Sequence, residues 1–246
     1  TYLTSLGYPV LRLSGQTADP ATGCLGSIVL GAITQPAEVP QFSGIEVRCL
    51  GRFEVSSSSG RIERWAGAKA RSVFQYLLAR PHEPIVKDAL MDALWPDCTP
   101  QSAANNLKAA VHSLRSTLCQ VFAGTDCPQP VLFRQGSYLI NPELSLWIDV
   151  EAFEKAWAAG RRLEKEHKIA DAMREYEKAE SLYRGDYLED EPYGDWTLLR
   201  RETLKDIYLI ILGKLADYSI SISDYESCIH YSQKILAKDF CREDSY

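Results

Sequence analysis

The stretch Leu94-Trp-Pro-Asp-Cys-Thr-Pro-Gln-Ser-Ala-Ala-Asn-Asn-Leu-Lys-Ala-Ala-Val-His-Ser-Leu-Arg-Ser-Thr-Leu118 reads as a turn followed by a capped helix with one apolar and one polar side. Thr99 can accept a hydrogen bond from the unpaired N–H groups of the first turn. Pro100 suits the first helical position, where a missing N–H costs nothing. Leu107, Val111, Leu114 and Leu118 recur at four, three and four residues, a stripe that fastens one side of the helix to a core. Gln101, Asn105, Lys108, His112 and Arg115 follow the same spacing on the opposite side. All five can donate hydrogen bonds to base edges or phosphates, and none is acidic. A solvated helix face ordinarily mixes in Glu or Asp, so the pattern points towards DNA. An ordinary amphipathic surface helix satisfies the same spacing, and only its setting can separate the two readings.

Length and charge bound that setting. The 246 residues, 46% hydrophobic and 24% charged, suit two compact globular domains. The net charge of −6 argues against nucleic acid until it is divided along the chain. Residues 1–43 hold one basic and two acidic groups, residues 44–146 eleven and nine, and residues 147–246 fifteen and twenty-two. The middle region, which contains the helix, is thus the only one that is not acidic, and its small excess permits DNA binding without demanding it.

Seven cysteines form no CxxC pair and have no clustered histidine partners, so no metal site is expected. Cys49, Cys119 and Cys228 sit in apolar contexts and read as buried reduced thiols, which favours the cytoplasm. The longest apolar run near the start, Leu25 to Thr34, is about ten residues, short of the roughly twenty that span a bilayer. It also lacks the basic flank of a signal peptide. The first residue is Thr1, and the last five, Arg242 to Tyr246, follow directly on a helical pattern. The chain therefore reads as part of something longer, cut short at its C-terminal end.

Around the helix the chain divides into three. Residues 1–43 have the Gly, Pro, Ser and Thr density of a linker or of the remnant of an upstream region. From Ile45 strand patterns follow at Ile45–Leu50, Gly51–Val55 and Arg61–Trp65, separated by a Ser-rich turn, and suggest a small antiparallel sheet. Helices are expected over about 69–79, stopped by Arg80-Pro81, and about 86–94, stopped by Pro96. After the third helix, Val131–Ile140 reads as a hairpin around Gln135-Gly136. Sheet, three helices and hairpin make a winged helix-turn-helix over residues 44–146. From 147 a run of helices begins, with small residues Ala172, Ala179, Gly213 and Ala216 where helices would cross. The expected class is mainly α with a small β component: a winged helix-turn-helix (α+β) domain, then an all-α tetratricopeptide-like domain over 147–246.

The leading sheet, Trp65-Ala-Gly-Ala-Lys-Ala-Arg71, Leu94-Trp-Pro-Asp97, Ala104-Asn-Asn-Leu107 through Leu114-Arg115 and the closing hairpin together resemble the OmpR-like DNA-binding domain of SARP-type transcriptional activators. Beyond them Tyr183-Arg-Gly-Asp-Tyr-Leu188, Asp195-Trp196 and Arg201-Glu202 are similar to the bacterial transcriptional activator domain, so the resemblance spans about residues 44–246. It implies a recognition helix in the major groove carrying Gln101, Asn105, Lys108, His112 and Arg115. It also implies a wing with Arg134, Gln135 and Ser137, and phosphate contacts from Lys69 and Arg71 at the start of the first helix. Arg115 could instead make an intradomain salt bridge, and His112 could be a partly buried, hydrogen-bonded histidine. Val86 departs from the family pattern, because it stands in the cap region of helix two and cannot cap it.

The implied partners are double-stranded DNA at direct repeats near a promoter and RNA polymerase, with the loop Trp95–Cys98 as a contact. A protein partner or a second copy could use the helical domain. Tyr176, Tyr183, Tyr187, Tyr193 and Trp196 would line a peptide groove there, or fill helix–helix gaps. No membrane partner and no cofactor are expected, and no enzyme: GxxxxGK[ST], GxSxG and HExxH are all missing, and Gly213-Lys214 is followed by Leu215. A tetratricopeptide-like adaptor whose winged helix has lost DNA binding is the competing reading.

Overall fold

The computed structural model describes residues 44–120, 128–191 and 194–239, all within one compact unit. The linker expected over 1–43, the loop over 124–127, Tyr193 and the residues after Asp239 lie outside the described residues.

Three short strands open the fold: β1 (Ile45–Arg48), β2 (Glu54–Ser57) and β3 (Gly60–Arg61). They are shorter than the patterns around them: Ile62 still donates its N–H to the Val55 carbonyl of β2 at 2.9 Å, and residues 63–65 lie outside the strands. Ile45 and Val47 of β1 alternate inward with Glu46 and Arg48 half-exposed, the period-two pattern of a sheet with one covered face. The sheet is not purely antiparallel. A strand β7 (Leu146–Ile148) pairs in parallel with β1, giving the order β3-β2-β1-β7. Leu146-Trp-Ile reads as the opening of a helix in sequence, and three residues are too few for a strand period to show. The domain boundary expected between 146 and 147 therefore falls inside a strand of the leading sheet.

Helices α1 (Ala68–Leu78), α2 (Lys87–Leu94) and α3 (Pro100–Cys119) pack on one another. Leu107, Val111, Leu114 and Leu118 of α3 are all buried, as their spacing requires. At about 1.5–3 kcal/mol for each fully buried aliphatic side chain, this stripe holds α3 to the core far more firmly than its caps do. The hairpin forms from β5 (Val131–Arg134) and β6 (Ser137–Ile140). Its turn residues Gln135 and Gly136 both have positive φ, 48° and 79°, the conformation that matches the twist of a two-residue hairpin loop.

A two-residue strand β4 (Ile85–Val86) joins the hairpin to give the order β4-β6-β5. It also answers the missing cap of α2. Val86 is extended and makes no side-chain cap, but the N–H of Lys87 donates to the carbonyl of Gly136 in the hairpin turn at 3.0 Å. The wing thus takes up one of the unpaired N–H groups of helix two.

The second half consists of α4 (Asp149–Lys165), α5 (Ile169–Leu182), α6 (Asp195–Ser221) and α7 (Tyr225–Lys238), with α4 packed on α5, α5 on α6 and α6 on α7. Ala172, Ala179 and Ala216 are buried at these crossings. Gly213 is not such a residue, because a Cβ there would meet open space. The close approach is at Gly160, where a Cβ would fall 2.3 Å from the ring of Tyr176. Tyr176, Tyr183 and Tyr187 are buried: Tyr176 packs on Trp157 of α4, Tyr183 on Phe153 of α4 and, with centroids 3.9 Å apart, on Tyr208 of α6, while Tyr187 bridges to Leu50 at the end of β1. Among the described residues no helix is long and apolar enough to cross a membrane, and no group of His, Cys, Asp and Glu could hold a metal ion. Cys49 is a buried free thiol and Cys228 a half-buried one; Cys119 is disulfide-bonded, which corrects its reading as reduced.

Candidate nucleic-acid interface

The candidate interface is built on α3. Thr99 is extended and its Oγ1 accepts from the N–H of Ser102 at 3.4 Å, so the helix starts where the sequence predicts. With the apolar stripe buried, the opposite side faces solvent. Gln101, Asn105, Lys108 and His112 are all exposed along it, joined by Ser102, Asn106 and Ser116. Gln101 Nε2 donates to Asn105 Oδ1 at 3.5 Å, a long bond that leaves the Asn105 amide N–H groups free for an outside acceptor. His112 is not the partly buried histidine considered above. No carboxylate occurs anywhere from Pro100 to Cys119, so nothing on the helix itself repels phosphate. Asn106 belongs to the same open face, and a strict four-and-three spacing misses it because the exposed arc is wider than one stripe.

Arg115 is placed differently. Its side chain is half-buried, Nε donates to the carbonyl of Val131 at 2.9 Å, and the amide oxygen of Gln129 accepts from both terminal nitrogens at 3.0 and 3.3 Å. The guanidinium therefore ties α3 to the first strand of the hairpin, through hydrogen bonds and not through the salt bridge considered in sequence. The wing residues Arg134 and Gln135 are exposed at the hairpin tip and Ser137 is half-buried beside them. Phe133, 51% exposed, lies against Tyr138 with ring centroids 4.7 Å apart.

The two residues expected on phosphates are held by the protein itself. Lys69 Nζ donates to the carbonyl of Leu94 at 2.6 Å and lies 5.5 Å from the centre of the Trp95 ring. It thus caps the C-terminal end of α2, where an unpaired carbonyl and the helix dipole both favour a cation. Trp95 is half-buried beneath it, while Pro96, Asp97 and Cys98 are exposed. Arg71 pairs with Asp190 and lies over the Phe53 ring at 5.6 Å, so it faces the helical domain. Arg71 and Asp190 are 119 residues apart, beyond any local pattern.

That pair belongs to a seam joining the two halves. The loop after α5 lies along the end of β1. Leu188 N–H donates to the Cys49 carbonyl at 2.8 Å, Gly51 N–H to the Asp186 carbonyl at 3.0 Å, and Glu189 N–H to the Gly51 carbonyl at 3.2 Å. Arg201 holds the loop from the other side, donating to the carbonyls of Tyr187, Leu188 and Glu191. Asp149, 2% exposed, accepts from the N–H groups of Cys49, Leu50 and Val150. Burial pushes its carboxyl above the ordinary value, against these three backbone donors and the charge of Arg48. Trp196 of α6 lies against Tyr76 of α1 with centroids 5.0 Å apart, and His82 pairs with Glu151 at 2.9 Å. Helix α3 and the acidic helical domain are therefore parts of one body.

Residues 148–246 match the family described as the bacterial transcriptional activator domain. The chain is 24% identical over 175 residues to the transcriptional regulatory protein MoaR1 of Mycobacterium tuberculosis, an alignment covering 71% of this chain and 56% of that protein. The MoaR1 of Mycobacterium bovis matches with the same identity and coverage. The chain thus spans a little over half the length of the curated relatives it matches. Among solved structures, Mycobacterium tuberculosis EmbR, determined in complex with a low-affinity phosphopeptide, superposes with a TM-score of 0.68. It is 21% identical, and the match covers 82% of this chain and 52% of that one, a likeness of fold. Residues 148–246 thus match a bacterial transcriptional activator domain, and with a winged helix fused ahead of it the chain is similar in arrangement to SARP-type transcriptional regulators.

Proposed function

We propose that the chain is a sequence-specific DNA-binding activator of transcription, acting in the cytoplasm on double-stranded DNA at direct repeats near a promoter. The observation that carries this reading is the open side of α3, where Gln101, Asn105, Lys108 and His112 are exposed on a helix without a single carboxylate. Asn105 is the residue for adenine, whose major-groove edge offers one donor and one acceptor to an amide. Lys108 and His112 serve guanine or phosphate, and Arg134, Gln135 and Ser137 of the wing follow the backbone beside the groove. Arg115 supports this surface by fixing the hairpin against α3. Lys69 fixes the turn between α2 and α3, and Arg71 takes no part in DNA contact. RNA polymerase would meet the exposed end of that turn, Pro96 to Cys98. The helical domain offers the surface for a protein partner or a second copy.

Fluorescence anisotropy with random duplex DNA across a salt series tests the reading, followed by selection of bound sites from a random pool. Binding that falls steeply with salt, and selected sites containing a repeated half-site, are the expected results. A flat, negligible signal at low salt would overturn it in favour of an adaptor whose winged helix does not bind DNA.

A further inference from the structure

A cavity of about 220 Å³ opens on the seam between the two halves, and its polar wall is mostly arginine: Arg48 and Arg52 from the winged helix, and Arg184 from the loop of the helical domain. Glu54 and Glu189 also line it. The charges do not cancel pairwise. Arg48 Nε is bonded to Glu46 at 2.6 Å, and Glu54 is bonded to Arg61 at 2.7 Å. Glu189 turns Oε1 onto the backbone N–H of Asp186 at 3.0 Å. Arg52 and Arg184 are exposed and have no polar partner among the described residues.

Backbone packing sets the two side by side. Gly51 has φ of 103°, and a Cβ on it would lie 3.6 Å from the Cβ of Arg184; a Cβ on Gly185 would lie 3.0 Å from the Cα of Gly51. The residue after Gly51 and the residue before Gly185 therefore leave the seam from backbones in contact. Two guanidinium groups in one concave place, each with its full set of donors unspent, form a fork for a tetrahedral oxyanion.

We infer that this cavity is a binding site for a dianionic phosphate group, free or borne by a small metabolite, held between Arg52 of the DNA-binding half and Arg184 of the helical half. Such a ligand bonds to both halves at once, so it strengthens the seam and links the reading helix to a small-molecule signal. The inference does not depend on DNA binding. No DNA-contacting residue takes part.

The test is a thermal melt of the whole chain with inorganic phosphate and, in a second arm, phenyl phosphate, each against sodium chloride at equal ionic strength. A saturable rise of the midpoint by about 3–6 °C at ten times Kd is expected, and the tighter of the two probes names the source of the phosphate. The double variant Arg52→Gln/Arg184→Gln should lose the rise while keeping the parent midpoint without phosphate, since both residues are exposed. A rise no larger than chloride gives, or one that persists in the double variant, overturns the site. A tenfold loss of duplex DNA affinity in the double variant without phosphate also overturns it, by assigning the arginines to the DNA backbone.

Discussion

Both carboxylate oxygens of Asp149 accept the backbone N–H of Cys49, at 2.8 and 2.9 Å, and so join the first turn of α4 to the end of β1 across one hundred residues of chain. The N–H of Leu50 donates to the same carboxylate at 2.8 Å. These donors have no water to fall back on, because Cys49 and Leu50 are each 1% exposed. Asp149→Ala should therefore cost about 2–4 kcal/mol in urea unfolding, the range for stranding buried polar groups. Asp149→Asn, which keeps one acceptor oxygen, should cost about half as much. An alanine variant within about 0.5 kcal/mol of the parent would show that other contacts hold the seam.

Arg115 and Asn105 lie on the same helix and should fail in different ways. Arg115→Ala removes the bond to the Val131 carbonyl and frees the hairpin, so it should lower stability by about 1–2 kcal/mol and weaken all DNA sequences alike. Asn105→Ala touches nothing that holds the fold. It should leave the melting midpoint unchanged and cost about 1–3 kcal/mol of discrimination at one base pair. Competition binding with single-base variants of a selected site separates the two. Equal loss at every position for Asn105→Ala would take it out of the groove.

Lys69 and Lys108 offer a second contrast. Lys108 is exposed and has no polar partner among the described residues, whereas Lys69 is bonded to the Leu94 carbonyl and lies over Trp95. Lys108→Ala should reduce the slope of log affinity against log salt by about one, with stability unaffected. Lys69→Ala should instead lower stability by about 0.5–1.5 kcal/mol and change the slope less. The reverse ranking of slopes would return Lys69 to the phosphates.

How far these roles could be read beforehand follows from the range of the interactions that set them. The stripe Leu107, Val111, Leu114 and Leu118 and the turn Gln135-Gly136 are local patterns, and both were legible. Strands β4 and β7 were not, since two or three residues carry no period and exist only through partners elsewhere in the chain. Lys69 and Arg71 were legible as cations at the start of a helix. Their partners, the Leu94 carbonyl and Asp190, lie 25 and 119 residues away and are set by packing. Of the open face of α3, exposure and the lack of acid could be read from spacing, but the diversion of Arg115 to Val131 depends on where the hairpin comes to rest.

Asp186 gives the fold a specific response to acid. Burial favours its protonated form, yet the hydrogen bonds from Lys238 Nζ and Tyr183 Oη, both 2.9 Å, and the charges of Lys238 and Lys205 outweigh it. The carboxyl therefore lies below its ordinary value. A carboxyl lowered in the folded state contributes stability that is fully present above the unfolded value, about 3.9, and is lost as pH falls through the folded value. Both partners of the ion pair are about a third exposed, so the contribution at neutral pH should stay below about 1 kcal/mol. Its location matters more than its size, because Lys238 is the last residue of α7 and this pair anchors that helix beside the seam loop. The melting midpoints of the parent and of Asp186→Asn should differ by a constant gap from pH 5 to 7, and the gap should close as pH is lowered from about 4 towards 2. A gap of unchanged width down to pH 2 would mean that the fold does not hold Asp186 below its ordinary value, and that α7 is anchored by its apolar contacts alone.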